Sequence, residues 1–332
     1  MRRLGLLAIA MLLASCGLSN LTGSSLPAAA PPAEAGQQSL WQDATIFQAV
    51  TKTIGGAGQR VWVEMYEFDR PDLIALLIAA HRKGLDVRVI TDPSVSVSRP
   101  TRDELVAAGV PARYYPIDTR IYQIDHVKLL LTESSALVAG MNWGTNSDRN
   151  HDYGLLSTDP TWISRLGVIF AQDWSLAGGN PDPRPDMGGP IGQTAPGEGI
   201  RSLLNRGIEG ARTQIRCEVF VLTDQDLIAR LAAAERRGVD VRILLDPNQS
   251  VNQAGYQELV GAGVGVRWYP IPRGALIHAK IGLFDSTLVL GSANWSKSGL
   301  SANHELDVET QQPALTGAYA TRFEADWTVS AP

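Results

Sequence analysis

The chain has 332 residues, 44% of them hydrophobic, with 29 Lys and Arg against 34 Asp and Glu for a formal net charge of -5. That sign excludes a general electrostatic attraction to nucleic acid or anionic lipid and leaves only a local basic cleft open to such a role. With just two cysteines, Cys16 and Cys217, a disulfide framework is also excluded, so a folded body must rest on its own apolar core.

Met1-Arg2-Arg3 is a short basic start followed by an apolar run from Leu4 to Leu13, too short to span a bilayer, which needs about 20 residues. It reads as a signal peptide over residues 1–15. Leu13-Ala14-Ser15-Cys16 resembles the lipobox of bacterial lipoproteins, which implies cleavage before Cys16 and a lipid on its sulfur. That places the protein in the cell envelope, on the periplasmic face of the outer membrane if the cell is Gram-negative. Residues 16–39 are mostly Ser, Ala, Pro, Gly and Gln and read as a tether.

Two halves follow, predicted as domains over 40–176 and 200–330, joined by a Pro- and Gly-rich linker over 177–199. Glu64-Met65-Tyr66, Asp72 to Ala75 and Gly84 to Val89 are answered by Glu218-Val219-Phe220, Asp226 to Ala229 and Gly238 to Ile243, all at an offset of 154. A repeat this long means duplicated domains rather than a solenoid of short units. In each half the pattern predicts a helix (46–54, 200–208), a buried strand (61–66, 214–222) and an Ala/Leu-rich helix (73–82, 227–237). A strand stopped by Asp-Pro (87–91, 241–245), a short helix (102–108, 256–262) and another strand (112–115, 266–269) come next. A hairpin (127–131 with 136–139, 279–284 with 287–290) precedes a closing helix (162–174, 315–327). The fold class is therefore α/β, two pseudo-twofold-related repeats, each a mixed β-sheet flanked by helices. Cys217 lies in an apolar strand and is expected as core filler.

The chemistry-bearing residues repeat as well. His126-x-Lys128, Glu133, Asn142-Trp143 and Asp152 in the first half match His278-x-Lys280, Asp285, Gly291-Ser292-x-Asn294-Trp295 and Glu305 in the second. His-x-Lys on a strand puts both side chains on one face. A His attacks phosphorus or carries a proton near neutral pH, a Lys favours phosphoryl oxygens, and Asn142 or Asn294 offers an amide donor. Two such halves would present two histidines to one cleft. Asp152 and Glu305 are candidates to hold an imidazole N–H, whereas Glu133 and Asp285 are expected to be structural at the hairpin turns. His151 and His304 are read as ordinary packing or solvated residues, and Trp143 and Trp295 as wall and core near the site. The set lacks a third His or Cys, and two lysines repel a cation, which argues against a metal here. Without a glycine-rich loop ending in Lys-Ser/Thr, nucleotide hydrolysis is disfavoured.

His278-Ala279-Lys280 with Asp285, Gly291-Ser292-x-Asn294 and then Glu305 resembles the HxKxxxxD…GSxN motif of the phospholipase D superfamily. The first copy departs from it at Glu133 and at Ala139-Gly140. The resemblance implies metal-independent, cofactor-free phosphodiester cleavage with retention, through a phosphohistidine on His126 and with His278 as general acid. It also implies a monomer with an intramolecular twofold. A lipid-anchored body favours a phospholipid of its own membrane as substrate, with transfer of the phosphatidyl group to an alcohol as in cardiolipin synthases. An exported nuclease acting on nucleic acid is the alternative, and a non-catalytic envelope binding protein is a third reading.

Overall fold

The computed structural model describes residues 37–180 and 188–332. The expected signal peptide, Cys16 and nearly all of the expected tether lie outside them. Among the described residues no helix is long and apolar enough to cross a membrane.

The first sheet contains β1 (Gln38–Gln42), β2 (Arg60–Met65), β3 (Asp86–Thr91), β4 (Ala112–Tyr114), β5 (Lys128–Thr132), β6 (Ala136–Ala139) and β7 (Tyr153–Ser157), in the order β1-β7-β6-β5-β2-β3-β4. The second contains β8 (Ile191–Thr194), β9 (Gln214–Val219), β10 (Asp240–Leu245), β11 (Gly265–Trp268), β12 (Lys280–Phe284), β13 (Thr287–Gly291) and β14 (Glu305–Thr310). Its order, β8-β14-β13-β12-β9-β10-β11, is that of the first sheet strand for strand. Three strands of each sheet pair in parallel and the rest antiparallel, so both sheets are mixed. The parallel strands are joined by helices α2 (Pro71–Arg82) and α3 (Ser98–Ala107) in one half and α6 (Gln225–Arg236) and α7 (Gln253–Gly261) in the other. This is the pseudo-symmetric α/β architecture expected of the repeats.

Burial explains why the two halves form one body. Helix α1 (Thr45–Gly55) packs Ile46, Val50 and Ile54 against Val61 and Val63 of β2, and α5 (Gly199–Gly210) does the same for the second sheet with Leu203, Leu204 and Ile208, each half thus having an outer core. A third core is shared: Leu129, Leu131 and Phe170 from the first half meet Ile281, Leu283 and Tyr319 from the second. Its helices are α4 (Pro160–Leu176) and α9 (Pro313–Val329), the matched closing pair. At about 25 cal/mol per Å² of apolar surface, a shared core of this composition opposes separation of the halves strongly. Cys217 is fully buried on β9, as expected of core filler, and burial raises its thiol pKa.

Glu133 and Asp285 occupy corresponding turns. Glu133 accepts from the backbone N–H of Gly58 (2.7 Å) and Arg60 (3.2 Å), and Asp285 from those of Arg212 (2.7 Å) and Gln214 (2.9 Å). Each carboxylate pins the loop that leads into β2 or β9, so Glu for Asp in the first copy leaves that role intact.

Candidate active site

Residues just before β5 and β12 carry His126 and His278 to the seam between the sheets. The seam is a backbone junction as well. His126 N–H donates to His304 C=O and His304 N–H to Ile124 C=O, each at 2.8 Å, while His151 N–H donates to Leu276 C=O and His278 N–H to His151 C=O at the same distance. Each half thus pairs its own His-bearing segment with the His-acid dipeptide of the other.

This junction exchanges the acids. His126 Nδ1 lies 2.9 Å from Glu305 Oε2, and His278 Nδ1 lies 2.8 Å from Asp152 Oδ2. Each of these two imidazoles is held by a carboxylate from the opposite repeat, which directs its Nε2 toward the cavity that both rings line. That cavity holds about 610 Å³ and is also bordered by Asn142, Asn294, Glu67 and Asp69. Its aromatic wall is Tyr66, edge-on to His126 at 4.7 Å, and Phe220, 4.8 Å from His278. Trp143 and Trp295 are buried in the outer cores, so they do not supply an apolar wall to the cleft. His151 and His304 are also buried, as packing residues would be.

The lysines sit beneath the rings. Lys128 Nζ donates to His126 C=O at 2.6 Å, and Lys280 Nζ donates to His278 C=O and lies 2.9 Å from His278 Nδ1. Both are almost wholly buried. Burial pushes the Lys128 ammonium down to about 7 and that of Lys280 to about 8. It also drives His126 down to about 4, with Glu305 opposing and Lys128 assisting, and holds His278 well below its usual range, reinforced by Lys280 and Lys128.

The two carboxylates differ. Burial lifts Asp152 to about 7 against the pull of Lys280. Burial acts on Glu305 in the same direction, but the charge and hydrogen bond of His126, Lys128 and the Ser292 hydroxyl outweigh it, leaving Glu305 below its usual value. Ser292 Oγ donates to Glu305 Oε2 at 2.6 Å and accepts from Leu306 N–H at 3.0 Å.

The departures of the first copy now have a steric account. Gly140 stands where Ser292 stands in the second half, and a Cβ there would lie 2.3 Å from Asp152 Oδ1, so the carboxylate takes the space of the missing side chain. Gly291 faces Asp307 across β13 and β14, and a Cβ on it would fall 2.4 Å from Leu306 O. In the first half Ala139 faces Gly154, so the small residue has moved to the partner strand.

Glu67 was not singled out from the sequence. It lies in the cleft, accepts from Asn142 Nδ2 at 3.3 Å, and is raised by burial and by Asp69. Its repeat equivalent is Val221, so a search for repeated chemistry passes over it. The packing of Gly144, where a Cβ would lie 2.3 Å from Glu67 Oε1, is the structural sign that its place is fixed.

Residues 50–174 and 204–327 match the family described as cardiolipin synthase, PLD-like domain. The chain belongs to this family of phospholipase D-like enzymes. It is 26% identical over 304 residues to cardiolipin synthase 2 of Bacillus cereus, covering 79% of this chain and 58% of that one. Against cardiolipin synthase B of Escherichia coli K12 it is 26% identical over 313 residues, covering 79% and 73%. The chain therefore spans little more than half the length of the Bacillus relative. Among solved structures, phosphatidylserine synthase of Haemophilus influenzae superposes with a TM-score of 0.71 at 12% identity over 89% of this chain and 87% of that one. Polyphosphate kinase of Porphyromonas gingivalis gives 0.66 at 17% identity over 88% and 47%. At these identities the structural likeness speaks for the fold.

Proposed function

We propose that the chain is a phosphodiesterase of the phospholipase D type that hydrolyses or transfers a phosphatidyl group through a phosphohistidine. The observation that carries this reading is the exchange of acids, which aims two imidazoles into one cleft. His126 is assigned as nucleophile because its partner Glu305 is the ionised carboxylate. Glu305 holds the Nδ1–H and leaves the Nε2 lone pair to attack phosphorus. His278 is the general acid because Asp152, at about 7, keeps a proton in the His278 pair near neutral pH.

In the first step the Nε2–P bond forms, the P–O bond to the leaving alcohol breaks, and that oxygen takes a proton from His278. In the second step water or an acceptor alcohol gives its proton to His278, its oxygen attacks phosphorus, and the N–P bond breaks. Lys128 and Lys280 stabilise the phosphoryl charge from beneath, and the Asn142 and Asn294 amides donate to its oxygens. The reacting centre requires no metal in this scheme.

Two features favour a lipid headgroup over nucleic acid. Among the described residues neither Lys nor Arg borders the cavity beyond the two lysines beneath its histidines, while Glu67 and Asp69 do border it. A polynucleotide needs basic residues along its backbone and would meet carboxylates instead. The family match and its cardiolipin synthase relatives point the same way. A lipid on Cys16, holding the body in the cell envelope, would supply access to the substrate.

The test is product release from phosphatidylglycerol, phosphatidylcholine and single-stranded DNA in parallel, for the wild type and the His126→Ala and His278→Ala variants. Lipid turnover lost in both variants is the expected result. DNA cleavage with inert lipids would make it an exported nuclease, and turnover of no diester would favour a binding protein.

A further inference from the structure

Each half also inserts the histidine before its exchanged acid into the other half, and the two cradles that receive these histidines differ. In the second half His151 meets Glu218 at Nε2 and Asp43 at Nδ1 (2.8 Å), and Tyr153 donates to Glu218 Oε1 at 3.0 Å. Arg322 completes that cradle, pairing with Asp326 and lying 3.5 Å from Asp43. Hydrogen bonds and a guanidinium satisfy the buried carboxylates.

The cradle in the first half has the same frame without the cation. Glu64, Asp173 and Tyr115 take the places of Glu218, Asp326 and Tyr269, and Tyr115 stacks on His304 at 4.3 Å. Where α9 carries Arg322, α4 carries Ile169, and Asp125 adds a further buried carboxylate next to His126. Glu64, Asp125, Asp173 and His304 are wholly buried. Both oxygens of Glu64, both of Asp173, Oδ2 of Asp125 and Nε2 of His304 have no hydrogen-bond partner among the described residues. Groups so buried are normally satisfied, and leaving several carboxylate oxygens bare in one place is costly.

The histidine tautomer sharpens the point. His304 Nδ1 lies 2.9 Å from Ala195 C=O, which only accepts, so Nδ1 carries the proton. In a neutral ring the Nε2 lone pair then faces Glu64 Oε1 and Asp173 Oδ2, each 3.4 Å away. That lone pair does not rest bare against two carboxylates: it either carries a proton, making the ring an imidazolium, or shares a cation with them. Ligand atoms about 2.1 Å from a tetrahedral ion are separated from one another by roughly 3.4 Å, the edge of that tetrahedron. The three ligand atoms here lie within 4.8 Å of one another.

We propose that Glu64, Asp173 and His304 bind a divalent cation of the zinc class, with Asp125 or a water as fourth ligand. Nitrogen and carboxylate donors in a tetrahedral set suit zinc. The ion is structural and does not touch the cleft. His304 C=O accepts from His126 N–H and its own N–H donates to Ile124, so the ion fixes the segment that carries His126 and, through the next residue, Glu305. The Nδ1–H bond to Ala195 sets the ligating tautomer, as such outer bonds do in metal sites.

The experiment is metal analysis of the purified full chain, unfolded in chelator, refolded with or without one equivalent of ZnCl2, and dialysed against metal-free buffer. We expect about one zinc per chain and a melting temperature at least about 3 °C higher with zinc than without. Glu64→Gln and Asp173→Asn should lose the ion, and Glu218→Gln, in the other cradle, should keep it. Should the first two fail to fold, Ile169→Arg provides the guanidinium that Arg322 gives its own cradle, and is expected to fold without zinc and melt independently of it. Folded wild type retaining less than a tenth of an equivalent, or zinc held equally by all these variants, would overturn the proposal. These readouts involve no phosphodiester, so they stand or fall apart from the catalytic reading.

Discussion

His126 of the first repeat gives its Nδ1 to Glu305 of the second at 2.9 Å, and the mirror pair, His278 with Asp152, closes the same exchange at 2.8 Å. Neither half therefore contains both members of its own His-acid pair. Glu305→Gln is expected to lower kcat/KM by about 10–100-fold with the fold retained, as loss of the carboxylate behind an imidazole does. Steady-state rates beside a circular dichroism melt check this. An unchanged rate would mean that Glu305 does not orient His126.

Gly140 and Asp152 form a steric pair, since a Cβ at Gly140 would occupy the position of the Asp152 carboxylate. Gly140→Ser should push Asp152 from His278 and reduce kcat by about 10-fold or more, because small displacements of catalytic groups are costly. Adding Asp152→Glu restores the Ser-Glu combination of the second half and should recover part of the rate. A double-mutant cycle measures that coupling, and strict additivity would contradict the account.

The buried ionisable groups set the pH dependence. His126, held down to about 4, is neutral across the physiological range, as the proposed nucleophile must be. Lys128 at about 7, Asp152 at about 7 and Lys280 at about 8 each lose a proton as pH rises. In the proposed mechanism the two lysines then no longer stabilise phosphate, and loss of the Asp152 proton removes the one that His278 would pass to the leaving group. The kcat/KM profile of the free enzyme should be level from about pH 5 to 6.5 and fall above about 7, with a slope steeper than one proton. Lys128→Arg keeps its charge at every such pH and should make that fall shallower. A rate that climbs from pH 7 to 9 would contradict these assignments.

Much of the fold was legible because each half repeats mainly apolar strands, such as 61–65 and 241–245, each broken by a single charged residue (Glu64, Arg242), and matched amphipathic helices. The outer strands were not. Gln38–Gln42 has only Leu40 and Trp41 as large apolar residues, Ile191–Thr194 follows a Pro- and Gly-rich stretch, and each forms only by pairing with β7 or β14. The repeated His, Lys, Asn and acid were visible as a set, yet sequence alone did not tell which acid serves which histidine. That depends on a backbone junction between halves. Glu67 was missed because it occurs once, and the difference between the His151 and His304 cradles turns on Arg322 against Ile169, on helices read only as apolar faces.

The proposed phosphohistidine is tested most directly by trapping it. The His278→Ala variant is mixed with a phosphatidyl substrate bearing a good leaving group, quenched at alkaline pH, and digested for mass spectrometry. A phosphatidyl adduct on His126 is expected, accumulating because resolution lacks its general base. An adduct on His278 in the reciprocal His126→Ala variant, with none on His126, would contradict that expectation.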